Sequence, residues 1–197
     1  SHLTDKLLAE GHIVYGMDIV HDSPNLESAM ANPNFHFVSY NIVLPNLRIE
    51  IPDIDIIFHL AAVGSVPRSF EDPNLYIQTN ILGTQNMLVF AVKNKAKKFV
   101  FISSSSIYGM KSPYAMSKKA GEDLCQVFHK HHSLPVTVLR YFNVFGPRQN
   151  AHSEYAAVVP KFMSALLKND YATIYGDGNQ SRDFTYIDDV VSITYKL

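Results

Sequence analysis

Tyr114 and Lys118 stand four residues apart in the segment Ser112-Pro113-Tyr114-Ala115-Met116-Ser117-Lys118. Ser112 suits a helix N-cap and Pro113 the first helical position. The phenol and the ammonium then share one face of one turn. A free phenol titrates at about 10, and a neighbouring ammonium favours the phenolate and lowers that value. Tyr114 could then exchange a proton with a substrate hydroxyl near neutral pH. Four serines, Ser103 to Ser106, follow the apolar run Phe99-Val100-Phe101-Ile102, and a hydroxyl at that strand end could bond the same oxygen. Spacing alone also describes an ordinary surface pair. The Ser-Pro start and the serine-tipped strand upstream favour chemistry.

Other polar residues fall just after apolar runs. Asp18 ends His12–Asp18, where a carboxylate could bond ribose hydroxyls or cap a loop. Leu60-Ala61-Ala62-Val63-Gly64 is a small-residue stretch that suits either close approach of a ligand to the backbone or tight packing. His59 lies inside the apolar run before it and reads as structural. Arg140-Tyr141-Phe142-Asn143 leads into a Gly-Pro turn. Tyr175 and Arg182 bracket a polar loop that suits a base and its phosphates.

The elements that must position these residues alternate in type. Strands are expected at His12–Asp18, Phe35–Ser39, Ile54–Leu60, Phe99–Ser103, Val136–Tyr141 and Ala172–Tyr175. Helices are expected at His2–Glu10, Pro73–Lys95, Pro113–His132, Tyr155–Lys168 and after Asp188. Near-continuous apolar strands alternating with long helices predict an α/β fold, a doubly wound parallel sheet of Rossmann type. Such sheets bind ligands at the carboxyl ends of their strands.

Composition narrows the class. The 197 residues carry 17 Lys+Arg and 18 Asp+Glu, a net charge of −1, so nothing electrostatic points to nucleic acid or an anionic membrane. No apolar run reaches the ~18 residues of a membrane helix, and the N-terminus does not read as a signal peptide. A single cysteine, Cys125, excludes an internal disulfide and a cysteine-based zinc site. The expected compartment is the reducing cytoplasm. No metal site is expected.

Together, Asp18, HLAA (59–62), SVPRSFEDP (65–73), NILGTQNML (80–88), SSSSIYG (103–109), SPYAMSKKAGE (112–122), RYFNVFGPRQ (140–149) and YGDGNQSRDFTYIDD (175–189) resemble the extended short-chain dehydrogenase/reductases. These are the NAD-dependent sugar epimerases and dehydratases. The segments span nearly the whole chain in the family's order. YFNVFGPRQ followed by YAAVVPKFM (155–163) is most similar to the UDP-N-acetylglucosamine/UDP-glucose 4-epimerases of surface-polysaccharide synthesis. The resemblance implies an NAD-binding Rossmann domain over 1–145 and the start of a substrate-binding domain over 146–197.

It also implies roles. Asp18 would hold the adenosine ribose of NAD. Asn41 would face the adenine amine, where the family usually has aspartate, and Ile42 would pack beside the adenine. Leu60, Ala61 and Ala62 would line the pyrophosphate and nicotinamide ribose, with Asn80 nearby and Phe142 flanking the nicotinamide. Ser104, Tyr114 and Lys118 would be catalytic, Lys118 also holding the nicotinamide ribose. Ser65, Arg68, Ser105, Ser106, Asn143, Tyr175 and Arg182 would contact a UDP-sugar. A homodimer through the helices Pro73–Lys95 and Pro113–His132 is expected, and Leu82, Leu88, Leu124 and Phe128 suit either that interface or the sheet.

Three departures stand out. The glycine-rich loop is absent, the chain starting where its last glycine would precede Ser1-His2-Leu3. Only Met110 and Lys111 separate Ile107-Tyr108-Gly109 from Ser112, where relatives carry a longer loop. Leu197 falls early in the substrate domain. The expectation is a portion of a longer protein.

The implied reaction is 4-epimerisation of UDP-GlcNAc/UDP-GalNAc or UDP-Glc/UDP-Gal through a transient 4-keto sugar. A 4,6-dehydratase needs an added Asp-Glu pair, and a decarboxylase a glutamate, at positions held here by Ser105 and Ser106. UDP-glucuronate 4-epimerase needs neither and stays open. The non-enzyme alternative is an NAD-binding regulatory protein on the same fold.

Overall fold

A computed structural model describes residues 1–45, 51–151 and 156–197. The chain packs as two compact units. One comprises Met17–His21 and Phe37–Tyr141; the other comprises Ser1–Gly16, Asp22–His36 and Phe142–Leu197. The division follows packing and not chain order.

The unit that carries Tyr114 is built on three parallel strands in the order β3 (Ile56–His59), β4 (Lys98–Ser104), β5 (Val136–Tyr141). Strand β1 (Val14–Asp18) pairs with β2 (Phe35–Ser39) in a separate ladder. Central β4 is buried at every position from Phe99 to Ser104, as a strand covered on both faces must be. Ile42, Met87, Leu88, Phe90, Ala91, Phe99, Phe101, Cys125 and Leu134 form one apolar core, with Leu124 and Phe128 packed against it. Leu88 is wholly enclosed and Leu82 is 40% exposed. Leu88, Leu124 and Phe128 therefore serve the core, and Leu82 alone of the four retains much free surface.

Between β3 and β4 the chain is helical in pieces: α3 (Val66–Glu71), α4 (Pro73–Tyr76), a wide π-turn over Ile77–Leu82 and α5 (Gly83–Lys93). The expected helix from Pro73 forms, with Asp72 Oδ1 accepting from Leu75 N at 3.1 Å as its cap. The sequence reading has no counterpart of α3, which is too short to show a period. Helix α6 (Pro113–His132) begins as the spacing predicts, Ser112 Oγ accepting from Ala115 N at 3.1 Å.

In the other unit, α1 (His2–Ala9) packs on α8 (Ile187–Tyr195). Lys6 Nζ lies 5.0 Å from the Tyr195 ring centroid and Asp5 pairs with Arg148 at 2.7 Å. α2 (Glu27–Met30) and α7 (Val158–Leu167) complete its α-helices among the described residues, and Tyr155 of the expected helix lies outside them. The strand expected at Ala172–Tyr175 does not form. Its β-branched and aromatic residues suit a strand, but Ile174 and Tyr175 stay exposed and meet no partner ladder. The parallel pair here is β6 (Val144–Phe145) with β7 (Thr185–Tyr186).

Helix α6 approaches β4 closely because residue 121 is glycine. A Cβ there would lie 2.4 Å from Phe101 Cζ, and Phe101 is fully buried. Alanine ordinarily favours a helix over glycine by about 1 kcal/mol, but here the ring has nowhere to go. Gly121→Ala is expected to destabilise the protein by about 1–3 kcal/mol in urea or thermal unfolding. Gly109→Ala, whose new Cβ would meet nothing nearer than 3.9 Å, should stay within about 0.5 kcal/mol.

Candidate active site

Lys118 is the unusual residue of this unit. It is 4% exposed, and its ammonium sits 4.6 Å from the Phe101 ring centroid. Among the described residues Nζ has no hydrogen-bond or ion-pair partner. Burial pulls its pKa from 10.5 down to about 8, opposed in part by Cys125 and Glu122. One turn earlier, Tyr114 stacks edge-on against Tyr76 at 6.1 Å. Its hydroxyl makes no hydrogen bond among the described residues. Among the described residues, the two polar tips that the helix period places on one face thus both lack a hydrogen-bond partner, as groups meant for a ligand would.

The serine tip of β4 turns into a single 3₁₀ turn, Ser105–Tyr108. Ser104 caps it. Its Oγ accepts from Ser106 N at 3.2 Å and donates to Ser106 Oγ at 3.2 Å. The Ser106 hydroxyl proton is then free for a ligand, and Ser104 and Ser106 act as a linked pair. Ser105 and Ser106 are half-buried. Met110, at φ +45°, and Lys111 complete the tight passage to the Ser112 cap.

The loop after β3 is held from two sides. Asn80, 1% exposed in the π-turn, accepts from Val63 N at 2.8 Å and donates to Val63 O at 3.0 Å. It also donates to Ser117 Oγ at 2.9 Å, and Ser117 donates to Tyr114 O at 2.8 Å. A π-turn widens the helix locally and is common at functional sites. Fully buried Tyr76 donates through its hydroxyl to Ser65 O at 2.8 Å, with Gly64 O at 3.0 Å. Ser65 is held at φ +106°, a strained value for a side-chain-bearing residue, and caps α3 by accepting from Arg68 N at 3.3 Å. The Leu60-Ala61-Ala62 stretch just before these clamped residues is exposed. It offers backbone to a ligand with little side chain in the way.

His59 is structural, as its place in the strand suggests. The Thr84 hydroxyl donates to Asn80 O at 2.6 Å, so it accepts from His59 Nε2 at 2.9 Å. The Nε2–H tautomer is assigned from that network. Burial and the nearby Lys118 cation push the imidazole pKa down to about 3, so the ring is neutral.

Several expected contacts are reshaped by packing. Ile42 turns its side chain into the core at 7% exposure, so any ligand contact it makes is through its backbone. That backbone is tied down by Asn86 Nδ2, which donates to Ile42 O at 2.8 Å. Asn41 Oδ1, expected to meet an adenine amine, already accepts from Val43 N at 3.0 Å in its own turn. Asn80 spends its amide on the protein and holds the loop instead of reaching outward. Asp18 keeps one oxygen open, the other accepting from Val20 N at 3.1 Å.

Asp18, Asn41, Ile42, Leu60, Ala61, Ala62, Ser65, Arg68, Asn80, Ser104, Ser105, Ser106, Tyr114 and Lys118 all belong to one unit, whereas Phe142, Asn143, Tyr175 and Arg182 belong to the other. Asn143 Nδ2 donates to Asp183 O at 3.0 Å, and Arg182 Nη1 donates to Ser181 O at 2.7 Å. The sequence reading misses Tyr76, Thr84, Ser117, Glu122 and Arg140. Ser117 and Glu122 carried a signal, at three and eight residues past Tyr114. The others had none that is local. Among the described residues no group of three or more His, Cys, Asp or Glu is placed to hold a metal ion, and no helix is long and apolar enough to cross a membrane.

Comparison with known proteins agrees with this geometry. All 197 residues match the NAD dependent epimerase/dehydratase family. The UDP-N-acetyl-alpha-D-glucosaminuronate decarboxylase of Bacillus cytotoxicus is 35% identical, over 98% of this chain and 66% of its own. The UDP-N-acetylglucosamine 4-epimerase of Methanobrevibacter ruminantium M1 superposes with a TM-score of 0.90 at 36% identity, over 97% of this chain and 66% of that one. The UDP-glucuronic acid 4-epimerase of Bacillus cereus, solved with UDP-4-deoxy-4-fluoro-glucuronic acid and NAD, gives 0.88 at 36% identity, over 98% and 68%. The chain spans about two thirds of the length of the curated relatives it matches. With the parallel sheet, the Tyr114–Lys118 face and the serine-tipped central strand, these matches identify the chain as a member of the NAD-dependent epimerase/dehydratase family, with a Rossmann-type α/β fold.

Proposed function

We propose that the protein is an NAD-dependent nucleotide-sugar 4-epimerase acting on a UDP-hexose or UDP-N-acetylhexosamine. The observation that carries this reading is the buried Lys118 ammonium, without a hydrogen-bond partner among the described residues, one helical turn from Tyr114 on a helix packed against a strand that ends in hydroxyls with no carboxylate at 105 or 106. The residues present fit NAD. The open Asp18 oxygen suits ribose hydroxyls, the exposed Leu60-Ala61-Ala62 backbone suits close approach, and Lys118 lacks the acceptors that a second ribose would bring. Held by these residues, NAD would supply the reversible hydride acceptance at sugar C4.

This chain's residues handle the proton and the orientation. The Tyr114 oxygen takes the proton of the C4 hydroxyl and later gives it back to the C4 oxygen. Lys118 holds the nicotinamide ribose and supplies positive charge on the same helix face. The Ser104–Ser106 pair hydrogen-bonds the C4 oxygen. A dehydratase or decarboxylase would call for acid/base groups where Ser105 and Ser106 stand, and hydroxyls cannot take that part.

A uronate substrate is the second reading. It is supported by the likeness to the UDP-glucuronic acid 4-epimerase and by exposed Arg68 next to the loop clamp. Incubating the intact protein with UDP-GlcNAc, UDP-glucose and UDP-glucuronate separately, then resolving the nucleotide-sugars, decides among them. A galacto-configured product from one of the first two is expected. A 4-keto-6-deoxy or decarboxylated product would overturn the epimerase reading.

Tyr114→Phe is expected to lower kcat by at least about 10²-fold while NAD binding, followed by titration calorimetry, persists. Because the Lys118 pKa lies near 8, the charged form is lost above that value. In a kcat–pH profile, turnover should decline as pH rises through 8. The same shift predicts a stability cost. The folded state resists protonating Lys118 between pH 8 and 10.5, so the penalty is full below 8 and fades toward 10.5. Lys118→Met should therefore raise the unfolding free energy of the NAD-free protein at pH 7, with a smaller gain at pH 9.5, while abolishing turnover.

A further inference from the structure

Glu122, Arg140 and Tyr108 form a connected chain of side chains that the roles above leave unused. Glu122 follows Tyr114 and Lys118 down one face of α6 at the same interval of four residues. Its carboxylate is 4% exposed, while the Arg140 side chain is 38% exposed. The contact is bidentate: Arg140 Nε donates to Oε1 at 2.9 Å and Nη2 donates to Oε2 at 2.8 Å. That fork fixes the guanidinium in a plane and not merely at a distance. Its third nitrogen, Nη1, donates to the Tyr108 hydroxyl at 3.0 Å, and the guanidinium carbon lies 5.1 Å from the Tyr108 ring centroid.

The three side chains join three elements. Glu122 is on α6. Arg140 is on β5, in register with Ser103, while Tyr141 is in register with Ser104. Tyr108 ends the 3₁₀ turn that Ser104 caps. The Ser103 hydroxyl is buried and lies near the Glu122 carboxylate, helping hold it ionised without reaching full hydrogen-bond geometry. An ion pair meant only to fasten α6 to β5 would need two of these groups. The third limb runs along the surface to Tyr108, 66% exposed, and so reaches the far end of the serine turn.

We propose that Glu122, Arg140 and Tyr108 are positioning residues that fix the serine turn 104–108 relative to Tyr114 on α6. The proposal rests on the reading of Ser104 and Tyr114 as the groups that meet the sugar. The brace spans the two ends of that arrangement. One end is the helix that carries the proton acceptor, and the other is the turn that carries the hydroxyl pair. Loss of any link frees the turn without emptying the site.

The test uses the intact protein and the variants Tyr108→Phe, Arg140→Lys and Glu122→Gln. Amide hydrogen exchange reports the turn directly, through Ser106 N–H on Ser104 Oγ and Gly109 N–H on Ser106 O. Tyr108→Phe and Arg140→Lys should speed exchange over 105–109 by about tenfold. Tyr108→Phe should leave the α6 amides and the melting temperature unchanged. With the sugar nucleotide that is turned over, Tyr108→Phe should lower kcat by about tenfold at constant KM. Glu122→Gln removes a negative charge near Lys118, so the alkaline limb of its kcat–pH profile should move to lower pH. Tyr108→Phe should leave that limb in place. Unchanged exchange over 105–109 in both Tyr108→Phe and Arg140→Lys, or wild-type kcat in Tyr108→Phe, would overturn the brace. Turnover retained by Tyr114→Phe would instead overturn the underlying reading, and the exchange rates, which need no substrate, would still decide the brace.

Discussion

A positive charge enclosed in an apolar shell is the constraint around which the unit that carries Tyr114 is arranged. Lys118 rests on the face of Phe101 and has no carboxylate of its own. Its depressed pKa corresponds to about 3 kcal/mol against the charged form. The aromatic face offsets part of that cost, since a cation over a ring is attracted to its quadrupole. Phe101 can lie there only because Gly121 leaves room for its ring. Neutral His59 adds no second charge beside the ammonium. A protein that keeps such a group keeps it for something other than stability.

Around that charge, the loop after β3 is held by side chains that spend their polar groups on the protein. Asn80 uses both ends of its amide on Val63, and Tyr76 uses its hydroxyl on Ser65 and Gly64. The strained φ of Ser65 persists because both clamps over-determine the turn. Asn80 also reaches Ser117, and Ser117 reaches the carbonyl of Tyr114. The backbone that would lie under a cofactor and the helix that carries the phenol are therefore set by one hydrogen-bonded network. Preorganisation of this kind is what lets a site orient reactants without moving at the moment of reaction.

The hydroxyl tip of β4 follows the same logic. Ser104 is spent on its own turn, accepting from one group of Ser106 and donating to another. The turn thus presents a linked pair of hydroxyls, poor in acid/base strength. The chain belongs to the NAD dependent epimerase/dehydratase family, and on the proposed reading the side chains on this one turn bear on which reaction follows.

What local pattern could reveal, it did. The Tyr114–Lys118 face follows from helix period and the Ser-Pro cap, both short-range. β4 was legible as a buried strand because its apolar run is continuous, and His59 was legible as structural because it sits within such a run. The strand foreseen at Ala172–Tyr175 shows the limit: residues with β propensity form no strand without a partner, and pairing is a long-range event. Long-range contact also decided that Asn80 faces inward, across 37 residues to Ser117, and that Ile42 belongs to the core. It joined Arg140 to Glu122 across 18 residues and to Tyr108 across 32. Helix period and turn chemistry are written in neighbouring residues, whereas the direction of a buried amide or guanidinium depends on which distant group folding brings to it.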